Sequence, residues 1–374
     1  MLQYCKKCLF PATKPDLYFN AQGICDACIS ADNKHGRGDA IDWTARAKEF
    51  ESIVVPRKLD NDGWYDCIVP VSGGKDSTWL VHAMKSLHWM NPLAVTFDQF
   101  DQTSIGRKNL DALRSVGVDH VHFTLNPHVV RQLVKKGFEI VGDPYWVNHV
   151  GMFTVPFHIS TRFNVQLVIF GEQPQLEYGG PEESKNNMIM DKRWRQEFGG
   201  MRGFREEDMV DPEISAGDLR ILKYPTDDQI QDVGVIGLFY GYFFKWDAVS
   251  HVKIIEQYGW SGLTQAPSGS WLNYENCDMH FISLREHLKY VKYGYGRATD
   301  QLNIAIRDRR ITRLEALNFA REIDGECPRE VILEFCDYIK ITEEEFYNVR
   351  DSFVNQEIFV RDSYGNWVMK NPRY

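Results

Sequence analysis

The chain has 374 residues, of which 43% are hydrophobic and 25% are charged, a balance typical of a globular protein with a large core and two or three structural parts. Its formal net charge of −9 argues against broad electrostatic capture of nucleic acid or of an anionic membrane. No apolar run reaches the roughly 18 residues of a membrane-spanning helix, and residues 1–7 contain no signal-peptide segment. We therefore expect a cytoplasmic protein.

Two Cys-x-x-Cys pairs, sixteen residues apart, come first in the chain: Cys5, Cys8, Cys25 and Cys28. Four thiolates at this spacing suit tetrahedral Zn²⁺, and a shell closed by four cysteines leaves no position for a substrate. The spacing therefore predicts a structural zinc site, with an iron–sulfur cluster or free core cysteines as the alternatives. A polar connector follows, so we assign residues 1–62 to an N-terminal zinc module and its connector.

Strand-length apolar runs alternate with helical patterns in the next part of the chain. Strands are predicted at 66–71, 93–98, 120–125 and 165–170, and helices at 76–89, 104–116, 127–138 and 150–162. Ser104 is the expected N-cap of its helix. Repeated β-then-α order predicts a parallel sheet, whose ligands sit at the carboxyl ends of the strands. We assign residues 63–260 to this α/β domain.

A glycine turn joins the first predicted strand to its helix, with the sequence Ser72-Gly73-Gly74-Lys75-Asp76-Ser77. Glycines let backbone N–H groups point inward, and the helix adds its positive N-terminal end, so this loop predicts a phosphate site. It lacks the Walker spacing and instead resembles the PP-loop of the ATP pyrophosphatase superfamily, which cleaves ATP to AMP and pyrophosphate. We assign ATP binding to all six residues, with Lys75 and Asp76 also catalytic. The alternative is a plain serine-glycine turn before a helix.

Two other predicted strand ends carry candidate residues, Asp98 after one strand and Gly171 with Glu172 after another. Asp98 is a candidate for Mg²⁺ or nucleotide binding, or else a carboxylate that caps the next loop. Asp76 is a second Mg²⁺ candidate, or else an acid placed favourably at a helix start.

The remainder of the chain contains an irregular stretch and a helical end. Residues 171–215 are irregular and rich in lysine and arginine, which suits an anionic substrate such as a sugar nucleotide, or else forms a solvated loop. Residues 234–246 predict a buried strand. Helices are predicted at 281–291, 301–307, 313–323, 328–339 and 343–353, so residues 261–374 form a C-terminal helical region. Residues 292–300, glycines alternating with tyrosines, predict a site loop.

With these motifs in place, the chain resembles the bacterial N-acetyl sugar amidotransferases that serve O-antigen, pseudaminic acid and legionaminic acid biosynthesis. The resemblance extends over nearly the whole chain. Besides the cysteine pairs and residues 72–77, it rests on Gly-Glu-Gln at 171–173, Glu-Tyr-Gly-Gly at 177–180, Gly-Tyr-Phe-Phe-Lys-Trp-Asp at 241–247 and Lys-Tyr-Gly-Tyr-Gly-Arg-Ala-Thr-Asp at 292–300.

The resemblance implies an adenine nucleotide alpha hydrolase-like fold and an ATP-dependent amidotransferase reaction, with Mg²⁺ and Zn²⁺ as cofactors. An acetamido oxygen of a nucleotide-linked N-acetyl sugar would be adenylated and replaced by ammonia. Glu172 or Glu177 would orient the substrate or remove a proton, with a structural carboxylate as the alternative for each. The other implied substrate contacts are Gln173, Tyr178, Gly179 and Arg297.

The ammonia source follows from the same resemblance. It implies a separate glutaminase subunit and a possible cyclase-like third subunit, because the chain's length is consumed by its three parts. Two alternatives remain open: a PP-loop enzyme that modifies tRNA, and a nucleotide-binding regulator without catalysis. The acidic composition and the lack of a further cysteine pair disfavour the first. The complete loop motif disfavours the second.

Overall fold

The computed structural model describes residues 2–59 and 64–371, and within them a five-stranded parallel sheet forms the centre of the molecule. Its strand order is β3-β2-β1-β4-β5. The strands are β1 (Cys67–Pro70), β2 (Pro92–Phe97), β3 (Asp119–Phe123), β4 (Leu167–Phe170) and β5 (Ile236–Phe239). The predicted α/β fold class is confirmed. The predicted boundary at residue 62 lies outside the described residues.

Helices cover both faces of this sheet, as a parallel sheet requires. Successive strand residues alternate between two cores, with Ile68 in one and Val69 in the other. The first core is covered by α5 (Pro127–Lys136), α6 (Trp146–Met152), α7 (Val155–Phe163), α14 (Ile282–Tyr293), α17 (Arg329–Ile339) and α18 (Glu343–Ser352). The second is covered by α2 (Trp43–Leu59), α3 (Lys75–His82), α4 (Ser104–Val116), α12 (Tyr240–Phe243) and α13 (Ala248–Ile255).

Shorter elements complete the chain. The remaining helices are α1 (Asp26–Lys34), α8 (Pro174–Tyr178), α9 (Glu182–Lys185), α10 (Lys192–Phe198), α11 (Asp227–Val233), α15 (Arg297–Arg307) and α16 (Arg313–Ile323). Strands β6 (Phe359–Arg361) and β7 (Trp367–Met369) form an antiparallel pair. Single π-helical turns at Ala83–Leu87 and Gly137–Val141 extend α3 and α5. No helix among the described residues is both long and apolar enough to cross a membrane.

Several local predictions differ from the structure. The N-cap of α4 is Thr103, whose side chain accepts a hydrogen bond from the Gly106 N–H, so the prediction of Ser104 was wrong. A single strand was predicted at 234–246. The structure has the shorter strand β5, which ends at Phe239, and the single helical turn α12 follows it. The chain turns there because Gly241 packs on the backbone of Gln173, whose nitrogen would lie 2.8 Å from an added Cβ.

Two further differences concern helix bounds. The predicted helix at 150–162 is two helices, α6 and α7, separated at Phe153 and Thr154, and Pro156 lies in the first turn of α7. The predicted site loop at 292–300 is shorter than expected, because Arg297 already begins α15. The side chain of Arg297 therefore projects from a rigid helix start.

The C-terminal helices pack onto the sheet domain through a cluster of phenylalanines. Phe138 is fully buried, and its ring stacks on Phe346 at 5.2 Å between centroids and meets Phe335 edge-on at 5.5 Å. These contacts join the end of α5 to α17 and α18. The same core thus includes the sheet and the C-terminal region.

We expect Phe138→Ala to lower the free energy of unfolding by about 3–5 kcal/mol, because it leaves a cavity in this core. Urea denaturation would measure the loss. Phe319→Ala is the control, since that ring is 41% exposed and its removal should cost under about 1 kcal/mol. Equal effects of the two substitutions would contradict the packing described.

Candidate active site

The Ser-Gly-Gly turn connects β1 to α3 at the centre of the sheet. Gly73 has φ +94°, a conformation that favours glycine, and a Cβ there would lie 2.5 Å from the Gly106 carbonyl oxygen. Its own carbonyl oxygen accepts a hydrogen bond of 3.0 Å from the Trp260 indole. The Gln102 amide donates to the Ser72 carbonyl oxygen at 3.0 Å. Contacts from other parts of the chain therefore fix the shape of the turn.

The location of this turn agrees with the rule for open parallel sheets. The strand order reverses between β1 and β4, and ligands bind at the carboxyl ends of the strands beside such a reversal. A cavity of about 530 Å³ lies at this place. Both Ser72 and Ser77 line it, and Gly171 and Glu172 line it from the end of β4.

Lys75 is buried against two carboxylates. Its ammonium group forms an ion pair with Asp76 and another, at 3.2 Å, with Oε1 of Glu275. Burial by itself lowers the pKa of Lys75, but the charges of Asp76 and Glu275 outweigh burial and raise the pKa above its ordinary value. Lys75 is therefore a permanent cation that can exchange a carboxylate for a phosphate oxygen.

Asp76 lies between Lys75 and a buried histidine. His251 of α13 is 3% exposed, stacks on the Trp79 ring at 3.7 Å, and places Nδ1 3.8 Å from Oδ1 of Asp76. Burial alone would raise the pKa of Asp76. Lys75 and His251 have the larger, opposite effect, so the pKa lies below its ordinary value and the carboxyl group is ionised. Its Oδ1 atom has no hydrogen-bond partner among the described residues and is free to bind a cation or its water.

Glu172 is a carboxyl group of the cavity wall whose pKa lies far above its ordinary value. Burial raises this pKa, the negative charge of Asp76 raises it further, and it reaches about 8. The Tyr178 hydroxyl donates a hydrogen bond of 3.4 Å to Oε2 of Glu172. A carboxyl group with this pKa is mostly protonated near physiological pH, and its smaller ionised fraction is a stronger base than an ordinary carboxylate.

The C-terminal region forms the opposite wall of the cavity. Arg297 lines it from the start of α15 and is ion-paired with Glu275. Asp278 is 4% exposed and accepts a hydrogen bond of 2.8 Å from the Gln99 amide. Burial raises the pKa of Asp278. The phosphate loop, residues 72–77, thus faces a wall that carries both acidic and basic side chains.

Two predicted carboxylates of the site lie outside the cavity lining. Asp98 contacts the side chains of Arg107 at 3.3 Å, His122 at 3.1 Å and Thr124 at 3.1 Å. Glu177 forms a buried ion pair with Lys34 of α1 at 2.6 Å. Both carboxylates are therefore satisfied by neighbours away from the phosphate loop.

Two other predicted residues shape the turn after β4. Gln173 is buried and caps α8, accepting hydrogen bonds from two backbone N–H groups and donating to two carbonyl oxygens. Gly179 has φ +86°, and a Cβ there would lie 2.9 Å from the Asp26 carboxylate. These residues hold the segment that carries Glu172 and Tyr178.

Sequence reasoning missed four residues that the fold brings to the phosphate loop: Gln99, His251, Glu275 and Asp278. Gln99 is the residue directly after Asp98 at the end of the predicted strand. The strand-end position therefore indicated a site there, but we assigned it to Asp98. His251, Glu275 and Asp278 lie on a helix and an irregular segment far along the chain, where no local pattern distinguishes them from surface residues.

The four N-terminal cysteines converge on one point. Their Sγ atoms all lie within 4.8 Å of one another, with 3.6 Å between Cys8 and Cys25 and 4.0 Å between Cys5 and Cys28. A tetrahedral ion with metal–sulfur bonds of about 2.3 Å separates its ligands by about 3.8 Å. All four residues are fully buried. They therefore fit a single metal ion, and the predicted metal-binding cluster is confirmed.

Positive groups surround these sulfurs. Backbone N–H groups of Lys7, Cys8 and Cys25 donate to the Cys5 sulfur at 3.3–3.4 Å. The Arg307 guanidinium donates to the Cys8 sulfur at 3.7 Å. These contacts offset the negative charge that four thiolates would carry around a divalent ion.

The glycine turn lies at the strand-order reversal and lines a cavity, which is the place where an open parallel sheet binds its ligand. Residues 268–373 match the family model described as the C-terminal domain of WbpG-like lipopolysaccharide (LPS) biosynthesis proteins. This match confirms the predicted resemblance over that part of the chain. Among solved structures, the chain is similar to the U34-tRNA thiolase NcsA from Methanococcus maripaludis with its [4Fe-4S] cluster, at 12% identity and a TM-score of 0.27, covering 69% of this chain and 88% of that one. A comparison with curated protein sequences finds no significant match.

Cys8→Ser should abolish most metal binding and lower the melting temperature, because one thiolate of a four-ligand shell is lost. Elemental analysis of the purified chain and a thermal scan would measure both. Cys327→Ser, outside the cluster, is the matched control and should retain the metal. Full metal content in Cys8→Ser would show that the cluster is not the binding site.

Glu172 makes the stability depend on pH. The folded chain keeps its proton up to about pH 8, whereas the ordinary pKa is 4.5. The folded state therefore binds more protons than the unfolded state between these values and loses stability as pH rises through them.

Glu172→Gln removes this loss. Its melting temperature relative to the unchanged chain should rise by at least a few degrees between about pH 5 and about pH 8.5. Glu322→Gln, at an exposed position of α16, should show no such trend. A difference independent of pH would contradict the raised pKa.

Proposed function

We propose that this protein is an ATP-dependent amidotransferase that converts an acetamido group of a nucleotide-linked N-acetyl sugar into an acetamidino group for LPS O-antigen or nonulosonic acid biosynthesis. The acetamido oxygen attacks the α-phosphorus of ATP, the bond to the β-phosphate breaks, and pyrophosphate leaves. Ammonia then adds to the activated carbon, the carbon–oxygen bond breaks, and AMP and one proton are released.

One observation carries this proposal: the WbpG-like region completes the cavity of the PP-loop. Residues 268–373 match that family, and they supply Glu275, Asp278 and Arg297 to the cavity wall. Neither part forms the cavity alone. A PP-loop that opens onto a domain of LPS-biosynthesis proteins favours a sugar substrate over a nucleic acid.

The phosphate end of the cavity suits ATP cleavage. Ser72, Ser77 and the backbone N–H groups around Gly74 would bind phosphate oxygens, and Lys75 would stabilise the charge on departing pyrophosphate. The unpartnered Oδ1 of Asp76 fits a Mg²⁺ ligand, because this ion commonly takes one or two carboxylates together with phosphate oxygens. Bound Mg²⁺ would neutralise phosphate charge.

We assign proton transfer to Glu172. Its side chain lines the cavity, and the raised pKa of about 8 makes the ionised form of this carboxyl group a stronger base for the proton that attacking ammonia releases. Glu177, the other candidate, supports the segment through its ion pair with Lys34. Arg297 can bind a substrate anion in competition with Glu275.

The cysteine cluster serves a structural role in this proposal, with Zn²⁺ as its metal, since four buried thiolates leave no open coordination position. Ammonia would come from a separate glutaminase subunit, with a cyclase-like third subunit as a further partner. Nucleic acid and membrane have no part in the reaction.

Pyrophosphate release tests the proposal directly. With ATP, ammonium and a panel of UDP- and CMP-linked diacetamido sugars, release should require one sugar, and the product should be lighter by the difference between O and NH. Lys75→Ala should lower turnover by about 100-fold or more, because a buried cation at the phosphates is lost. Lys253→Ala, exposed on α13, is the control.

Two results would overturn the assignment. Pyrophosphate release stimulated by tRNA and indifferent to every sugar would indicate the RNA-modifying alternative. Equal rates with glutamine and ammonium in the purified chain alone would remove the need for a glutaminase partner.

A further inference from the structure

Asn148 of α6 is a buried amide without a partner. The residue is 7% exposed and lines the cavity. Neither Oδ1 nor Nδ2 has a hydrogen-bond partner among the described residues. A buried side-chain amide that forms no hydrogen bond costs free energy, so two unpartnered atoms on a cavity wall point to a ligand that satisfies them.

The position of α6 places this amide in an aromatic part of the cavity. Gly151 packs on the Phe97 ring so closely that a Cβ would lie 2.4 Å from it, which fixes α6 against the carboxyl end of β2. Phe97, Phe153 and Phe170 line the same cavity, and the last two rings are 5.6 Å apart. A flat ring system fits such a wall.

The polar side-chain atoms of α6 that lack a hydrogen-bond partner among the described residues belong to uncharged groups. The nearby cation, Arg285 of α14, has its own partners. Arg285 is already paired with Asp143 at 3.5 Å and with Glu286 at 2.9 Å, and it donates to Nε2 of His149 at 3.3 Å. Burial and Arg285 lower the pKa of His149 to about 4, so this ring is uncharged. Both Asn148 and His149 are therefore uncharged, which favours a neutral polar group over a phosphate as the part of the ligand that Asn148 meets.

The geometry of an amide limits what that group can be. Asn offers one acceptor and one donor side by side, and the edge of a nucleobase presents the complementary pair. An acetamido group places its N–H and C=O on opposite sides of a trans bond, so it cannot engage both atoms of one Asn. We infer that Asn148 binds the hydrogen-bonding edge of a nucleobase and selects the nucleotide at this site.

This inference rests on the proposed function, which supplies two bases: the adenine of ATP and the base of the sugar nucleotide. Equilibrium titration of the full chain separates them. The probes are α,β-methylene-ATP, UDP, CMP and inorganic tripolyphosphate, which has no base. Asn148→Ala and the volume-conserving Asn148→Leu are compared with Asn186→Ala, an exposed control.

We expect both Asn148 variants to bind one nucleotide about 10- to 100-fold more weakly, since two hydrogen bonds to a base edge are lost. Binding of tripolyphosphate should not change. Weaker binding of α,β-methylene-ATP would assign Asn148 to adenine. Weaker binding of UDP or CMP would assign it to the base of the sugar nucleotide. The ligand-free variants should melt no lower than the unchanged chain, because no internal hydrogen bond is removed.

Unchanged affinity for every nucleotide in a variant that melts normally would overturn the inference and leave the proposed function intact. Equal weakening of tripolyphosphate would also overturn it, because the effect would then not involve a base. If the unchanged chain binds neither α,β-methylene-ATP nor UDP nor CMP, the proposed function fails and the inference fails with it.

Discussion

The buried ammonium group of Lys75 requires negative partners from two distant parts of the chain. Asp76 follows it directly, whereas Glu275 comes from the WbpG-like region and approaches to 3.2 Å. A buried charge that loses its partner is strongly destabilising. Lys75, to which we assign stabilisation of the charge on the departing pyrophosphate, therefore also joins the phosphate loop to the C-terminal region.

The charges continue from this contact into the C-terminal helices. Glu275 is paired with Arg297, Asp300 contacts both Arg297 and Lys289, and Lys289 contacts Glu286. Each of these charged side chains therefore lies beside at least one group of opposite charge. Such a network supplies a preorganised electrostatic surface, which stabilises developing charge without reorganisation during the reaction.

The metal-binding module supports the cavity from the other side. Asp26, one residue after Cys25, accepts a hydrogen bond from the Gly180 N–H and pairs with Lys185, both at 2.8 Å. Arg307 contacts both the Cys8 sulfur and the Glu177 carbonyl oxygen. The segment that carries Glu172 is thus attached to the cysteine cluster through Asp26 and Arg307.

Short-range sequence patterns by themselves predicted the α/β class, the glycine turn at residues 72–77 and the cysteine cluster. Apolar periodicity, glycine at a left-handed position and Cys-x-x-Cys spacing all act within a few residues, so the sequence displays them. The choice among carboxylates was decided only by the tertiary structure. Asp98 and Asp278 look alike in sequence, yet the first pairs with side chains outside the cavity lining and the second lines the cavity. Long-range packing brings residues 251–297 to the cavity, and no short-range pattern encodes that approach.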